Sequence, residues 1–243
     1  MTQRLGAATR ATFRSLHVRN FRLFLSGQLV SQTGTWLTMV ALTLLVLDRT
    51  GSGVAIGLLT ACMFGPVLLL GAWAGSVADR SDKHRLLIRA QAAAMVQSFV
   101  LATVVFTDLA SLPVIYGLAA VSGVITAFDN PARRSFVVEM VPEDLVPNAV
   151  SLNSAVMTGS RVIGPAAAGA LVVTVGYGWA FLIDGLSYIA VLTGLLLMRR
   201  AELRAAAPVA RGRGQVREGV RYVRSQPILL VPLVMMAVIG TFA

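Results

Sequence analysis

The sequence predicts an all-helical membrane protein of about seven spans. Three observations carry this. Hydrophobic residues make up 56% of the chain and charged residues 13%, against about 45–50% and 25% in soluble domains, and the mean hydropathy is +0.75. The apolar residues gather into runs of roughly 20, the length that crosses a bilayer as a helix. The charged residues fall almost entirely between those runs. At roughly 30–35 residues per span and connection, the 243 residues hold six spans and the opening of a seventh.

The elements follow in order. Residues 1–22 form a basic N-terminal region with Arg4, Arg10, Arg14, Arg19 and Arg22. Phe13, Leu16 and Phe21, interleaved with these cations, predict a short helix lying on the inner membrane surface. Span one covers residues 23–47, too long for the 7–15-residue core of a cleaved signal peptide. A polar turn at 48–53 leads to span two at 54–78, and a charged loop at 79–85 leads to span three at 86–106. After a turn containing Asp108, span four covers 113–128. A longer polar connection is expected at 129–148, then span five at 150–175. The turn Gly176-Tyr177-Gly178 precedes span six at 179–198. The segment 199–226, rich in Ala, Arg, Gly and Pro, reads as a basic linker after a six-helix bundle at 23–198. Residues 227–243 open a seventh span that is incomplete.

Of the 21 Lys+Arg residues, all but Arg49 and Arg161 lie before span one or after an even-numbered span. Cations stay on the cytoplasmic side, so the chain reads as a multi-pass protein of a bacterial inner membrane with its N-terminus in the cytoplasm. The short outer turns predict neighbouring spans packed as antiparallel hairpins. The net charge of +10 is then topological, and no soluble basic domain is present to bind nucleic acid. Cys62 is the only cysteine, which excludes an intrachain disulfide. His17 and His84 read as cytoplasmic surface residues, and no metal cluster is visible. Gly51-Ser-Gly53 lacks the downstream Gly-Lys-Ser/Thr of a phosphate cradle. No cofactor is expected. With no His, Cys or Ser–base constellation, neither is an enzyme.

The loop after span two reads Gly75-Ser-Val-Ala-Asp79-Arg80-Ser-Asp-Lys83-His-Arg85. It resembles the signature loop of the major facilitator superfamily in its sequence and in its position between spans two and three. Gly75 would permit close helix packing, and Asp79 would face the positive end of a helix. Arg80, Lys83 and Arg85 would meet lipid phosphate or acidic partners. The resemblance implies a gate latch that grips the other half of the protein in one conformation. Span five contains Gly159-Ser-Arg161-Val-Ile-Gly164-Pro165-Ala-Ala-Ala-Gly169, similar to the Gly-Pro motif of the superfamily's exporters, although three alanines separate Pro165 from Gly169. A bent, closely packed helix is expected there.

The connection Phe128-Asp129-Asn130-Pro131-Ala132-Arg133-Arg134, then Val141-Pro142-Glu143-Asp144-Leu145-Val146-Pro147-Asn148, resembles the enterobactin-exporter-like branch, a bacterial group of siderophore and drug exporters. So do Asn20-Phe21-Arg22 through Trp36 and Arg217 to Val223. The resemblance implies a major facilitator fold, of which this chain carries the N-terminal half and the start of the seventh span.

Polar residues at membrane depth are the candidate transport site. Gln28, Ser31, Gln32 and Thr35 fall at i, i+3, i+4 and i+7, one face of span one. Many members of the branch carry an Asp where Thr35 stands, which counts against proton coupling through span one. Asn153 and Gln97 are further candidates. Arg161 and Asp184 are intramembrane charges, about 22 and 9 Å from the outer turn at 1.5 Å per residue, too far apart to pair directly. Arg161 reads either as a transport residue or as a structural cation near the Pro165 bend. Asp184 reads either as a proton or substrate site or as a buried hydrogen-bonding group.

The leading expectation is a secondary transporter, a proton-coupled exporter of small amphipathic molecules of drug or siderophore class, working by alternating access. Membrane lipids and a small-molecule substrate are the expected partners, together with a C-terminal half or second chain needed for transport. The alternatives are a non-transporting half-protein or fragment and, less favoured because long cytoplasmic helical extensions are lacking, the membrane subunit of an ATP-driven transporter.

Overall fold

Inside a bilayer a backbone N–H or C=O has no water to bond, so each apolar run is held as a helix whose groups satisfy one another. A computed structural model describes residues 13–204 and positions 225, 226 and 235. Six helices follow one another: α1 (Arg19–Thr50), α2 (Gly53–Arg80), α3 (Lys83–Phe106), α4 (Leu112–Met140), α5 (Val146–Val175) and α6 (Tyr177–Leu196). Each is long and apolar enough to cross a membrane. They belong to a compact unit of residues 1–208; residues 209–243 form a second unit. Apart from positions 225, 226 and 235, the expected linker beyond Arg204 and the seventh span lie outside the described residues, as do Arg4 and Arg10.

Local chemistry ends the helices close to the expected turns. Gly51 closes α1 in the left-handed conformation at φ 59°, which costs glycine no Cβ clash. Asp82 caps α3 by accepting from the Arg85 backbone N–H at 3.1 Å.

Three expectations are corrected at the inner end. Residues 129–140 are not a polar connection: α4 continues through Pro131 to Met140. Proline leaves only the Ala127 carbonyl without its helical donor, while Phe136, Val137 and Met140 are buried beyond it, and that burial outweighs the lost bond. The N-terminal interfacial helix is one 3-10 turn, Arg14–His17. Phe21 lies in α1 and is fully buried. Ser15 ties this turn to α5, donating from its N–H and Oγ to Asn148 Oδ1 at 3.0 and 2.7 Å. His84 is buried rather than on the surface, its Nε2 2.8 Å from the Leu195 carbonyl.

The helices do not pack as sequential hairpins. α1 lies against α5 and α6, α6 also against α3, and α4 against α2 and α3. Of the pairs joined by outer turns only α3 and α4 pack extensively. A short turn fixes helix ends, but helix bodies go where small residues admit them. A Cβ on Gly27 would lie 2.7 Å from Val191 Cα, and one on Gly194 2.8 Å from the Leu23 carbonyl oxygen, so α1 and α6 meet backbone to backbone. In consequence α2 buries 6% of its apolar stretch and α5 17%, against 44% for α1 and 50% for α6.

Two apolar cores result. The inner core joins Phe21, Phe24, Leu87, Phe136, Val191 and Leu195, with Phe24 and Phe136 edge to face at 5.9 Å. The outer core joins Leu42, Leu45, Leu101, Ile115, Ala180 and Phe181. The bundle's ends are tied as well. Asn20 Nδ2 donates to the Arg199 carbonyl and Asn20 Oδ1 accepts from the Arg199 N–H, both at 3.0 Å. At the outer end Arg49 donates to the Ala110 carbonyl and Tyr177 to Asp48.

Candidate functional site

Between the two cores α1, α3, α4 and α6 bring polar side chains into one layer. The extension of α4 creates its centre. Asp129 and Arg133 are one helical turn apart on a buried face and form an ion pair with about 8% of either side chain exposed. Arg133 Nη1 also donates to Gln28 Oε1 at 2.5 Å and Gln32 Oε1 at 2.7 Å on α1. Gln91 on α3 donates to Asp129 Oδ1 at 2.7 Å. Gln28 Nε2, Gln91 Oε1 and Arg133 Nε keep no hydrogen-bond partner, so the network holds unspent donors and acceptors.

A cleft of about 80 Å3 opens beside this network, lined by Gln32, Gln91, Asp129, Asn130, Arg133 and Tyr188 among others. That is room for a few waters, at about 30 Å3 each, and far below the ~300–1,000 Å3 of a drug-sized pocket. This part of the layer suits protons and water rather than a large ligand.

One helical turn outward, the Thr35 and Tyr188 hydroxyls are 3.2 Å apart. Beyond them Asp184 on α6 is buried, and its Oδ2 accepts from Thr38 Oγ1 at 2.9 Å and Ser98 Oγ at 2.8 Å. Its Oδ1 has no hydrogen-bond partner and lies against Gly34, where a Cβ would come within 2.6 Å of it.

The predicted span-one stripe is divided by this packing. Gln28 and Gln32 hold Arg133, Thr35 reaches Tyr188, and Ser31 is buried with its carbonyl accepting from Thr35 Oγ1 at 3.1 Å. Asn153 stays on its own helix, 3.8 Å from Met157 Sδ. Gln97 reaches the Leu118 carbonyl at 3.4 Å. Arg161 is exposed, its guanidinium carbon 5.1 Å from the centre of the Trp36 ring, and it makes no pair with Asp184. Gly164 admits α1, since a Cβ there would meet Trp36 Cβ at 2.4 Å. Pro165 lies inside α5. Gly169 meets nothing within 4 Å among the described residues.

The signature loop is arranged differently from expectation. Gly75 has no close neighbour among the described residues, so it does not serve helix packing within this bundle. Lys83 does not face lipid: it is buried and 2.6 Å from Glu139 at the end of α4. Arg85 pairs with Asp82 at 3.2 Å, and Arg200 donates to the same carboxylate at 2.6 Å. Asp79 is exposed in the last turn of α2, beside the half-buried Arg80.

Asp129 and Arg133 entered the sequence reading only as part of the motif after span four, and Gln91, Thr38, Ser98 and Tyr188 not at all. Asp129 and Arg133 carried a usable signal: opposite charges at i, i+4, the spacing of a helical pair, followed at once by the apolar run Phe136-Val137-Val138.

Residues 10–243 match the family described as transmembrane secretion effector. The chain is 30% identical over 178 residues to the staphyloferrin A transporter of Staphylococcus aureus, covering 72% of this chain and 45% of that protein. It is 27% identical over 220 residues to the MFS-type transporter YfiS of Bacillus subtilis, covering 88% and 52%. It is 23% identical over 146 residues to macrolide efflux protein A of Streptococcus pyogenes, covering 60% and 36%. The chain spans about half the length of these relatives or less.

Proposed function

The chain belongs to the major facilitator superfamily, in its transmembrane secretion effector family, a family of transporters and not of enzymes, and on that premise we propose that its bundle is half of a proton-coupled exporter of small amphipathic molecules. The siderophore and macrolide transporters among its relatives support that substrate class. A second, facing bundle completes the transporter, and α2 and α5, little buried in this one, are the faces it covers. The protein sits in the bacterial plasma membrane with its N-terminus in the cytoplasm, as the one-sided distribution of cations supports.

The observation that carries the reading is the buried Asp129–Arg133 pair tied to Gln28, Gln32 and Gln91. A carboxylate at this depth is kept for function more often than for stability. Ionised, Asp129 accepts from Gln91 and Arg133 and so fastens α4 to α3, while Arg133 fastens α4 to α1. A proton reaching Asp129 through the cleft cancels the charge-assisted bond and leaves the Arg133 cation buried without its counter-ion. That cost favours a different packing of α4, and a ligand preferring one packing is thereby exchanged against the proton. Alternating access is then the rocking of this bundle against the facing one, biased by the packing of α4.

The test uses everted vesicles carrying the protein with its facing bundle. Respiration should drive accumulation of an amphipathic dye, and a protonophore should abolish it. Asp129→Asn should lower gradient-driven accumulation at least tenfold, with the protein still present in the membrane. Accumulation that survives the protonophore and needs ATP would overturn the reading, as would an Asp129→Asn protein with normal coupling.

A further inference from the structure

We propose that Arg161 on α5, laid over Trp36 on α1, receives the carboxylate of an amphipathic substrate. The inference rests on the transport reading above and names the charge of what is transported. Depth is the first argument. Arg161 stands 15 residues from the start of α5 and 14 from its end, about 22 and 21 Å at 1.5 Å per residue. A lipid phosphate at either surface of a hydrocarbon core about 30 Å thick does not reach it.

The face is the second argument. Ser151, Ser154, Thr158 and Arg161 follow one another at i, i+3, i+7 and i+10 and are all exposed. Ala155, Val162, Ala166 and Val173 form a separate exposed stripe that is wholly apolar. A membrane helix turns its polar stripe away from lipid, to protein or to a water-filled cavity, and the proposed site takes the cavity side for Arg161. Trp36 carries it to the candidate site, because Trp36 follows Gln32, a ligand of Arg133, by one turn of α1.

Charge is the third. Near this depth Asp129 and Arg133 neutralise each other; Asp184 lies closer to the outer turn and is 1% exposed, with both its hydroxyl donors on Oδ2. Arg161 meets no carboxylate among the described residues. The exposed wall of this bundle is therefore positive. The guanidinium lies over the indole, and its N–H groups, which meet no carboxylate among the described residues, can match a carboxylate bidentately. The indole beside it is a wall for the substrate's apolar body.

The test is equilibrium binding to the full chain in dodecylmaltoside, needing no gradient. The probe is 11-(dansylamino)undecanoic acid, compared with its methyl ester. Energy transfer from Trp36 is read after Trp73→Phe and Trp179→Phe. The acid should bind at least tenfold more tightly than the ester. Arg161→Gln should reduce the acid to the ester's level, and Arg161→Lys should fall between. Equal binding of acid and ester, or an unchanged Arg161→Gln protein, would overturn the inference. So would displacement of the acid by phosphatidylglycerol but not by laurate, which would reassign the cation to lipid phosphate. Because no gradient is used, a site that binds in a protein failing the vesicle test keeps this inference and removes the coupling reading, and the converse result does the reverse.

Discussion

Asp184 shows how much a single intramembrane charge depends on what surrounds it. Its spacing from the outer turn was readable along the chain, and so was its rarity. Its partners were not, because Thr38 and Ser98 are ordinary hydroxyl residues until the packing of α1, α3 and α6 brings them within 2.9 and 2.8 Å. Asp184→Asn should keep an acceptor for both hydroxyls and stay within about 1 kcal/mol of the parent. Asp184→Leu strands both and should cost about 1–2 kcal/mol, the scale of polar contacts between membrane helices. Reversible unfolding in mixed SDS micelles measures the difference. Equal stability of the two variants would mean that the hydroxyls find other acceptors. Arg161 was similarly visible as a charge, while its contact with Trp36 was hidden because it crosses from α5 to α1.

At the scale of elements, six spans and their approximate limits were legible from apolar run length alone, since the bilayer sets that length. The inner end of α4 was not. Asn130, Pro131 and two arginines read as a turn, and only the burial of Phe136, Val137 and Met140 explains why the helix continues. That continuation brings Glu139 to Lys83 at 2.6 Å, with about 9% of each side chain exposed. Breaking one partner of a buried pair leaves a lone buried charge, at about 3–5 kcal/mol. Glu139→Gln leaves the Lys83 cation buried without this carboxylate and should therefore destabilise by about 3 kcal/mol, while Lys83→Met combined with Glu139→Leu should recover most of the loss. Thermal unfolding in detergent reads this, and a double variant no better than Glu139→Gln alone would show that the pair's charges are not what matters there.

At the scale of the whole bundle, the two apolar cores with a polar layer between them are a bilayer's own profile reversed, polar in the middle and apolar on either side. Such a layer is stable only while four helices close around it. The proposed orientation, with the N-terminus in the cytoplasm, rests on the one-sided cations and can be tested directly. In a Cys62→Ser background a membrane-impermeant maleimide should label Ser52→Cys and Leu109→Cys in intact cells, and Glu143→Cys only after permeabilisation. The reverse pattern would overturn the orientation. Hairpin order was the part of the architecture that sequence misjudged, because connection length says which ends are near and glycine positions say which bodies touch.

The clasp between Asn20 and Arg199 has a consequence for synthesis. α1 leaves the ribosome before α5 and α6, against which it is chiefly packed, and its end is fastened to the residues that follow α6. Birth order and packing order are thus inverted. During translation α1 waits in the membrane with Gln28, Gln32 and Thr38 unmatched while α2, α3 and α4 emerge. The arrival of α4 supplies Arg133 to Gln28 and Gln32, but only α6 brings Asp184 to Thr38, so a nascent chain lacking α6 offers quality-control proteases an α1 whose Thr38 end has nothing to bind.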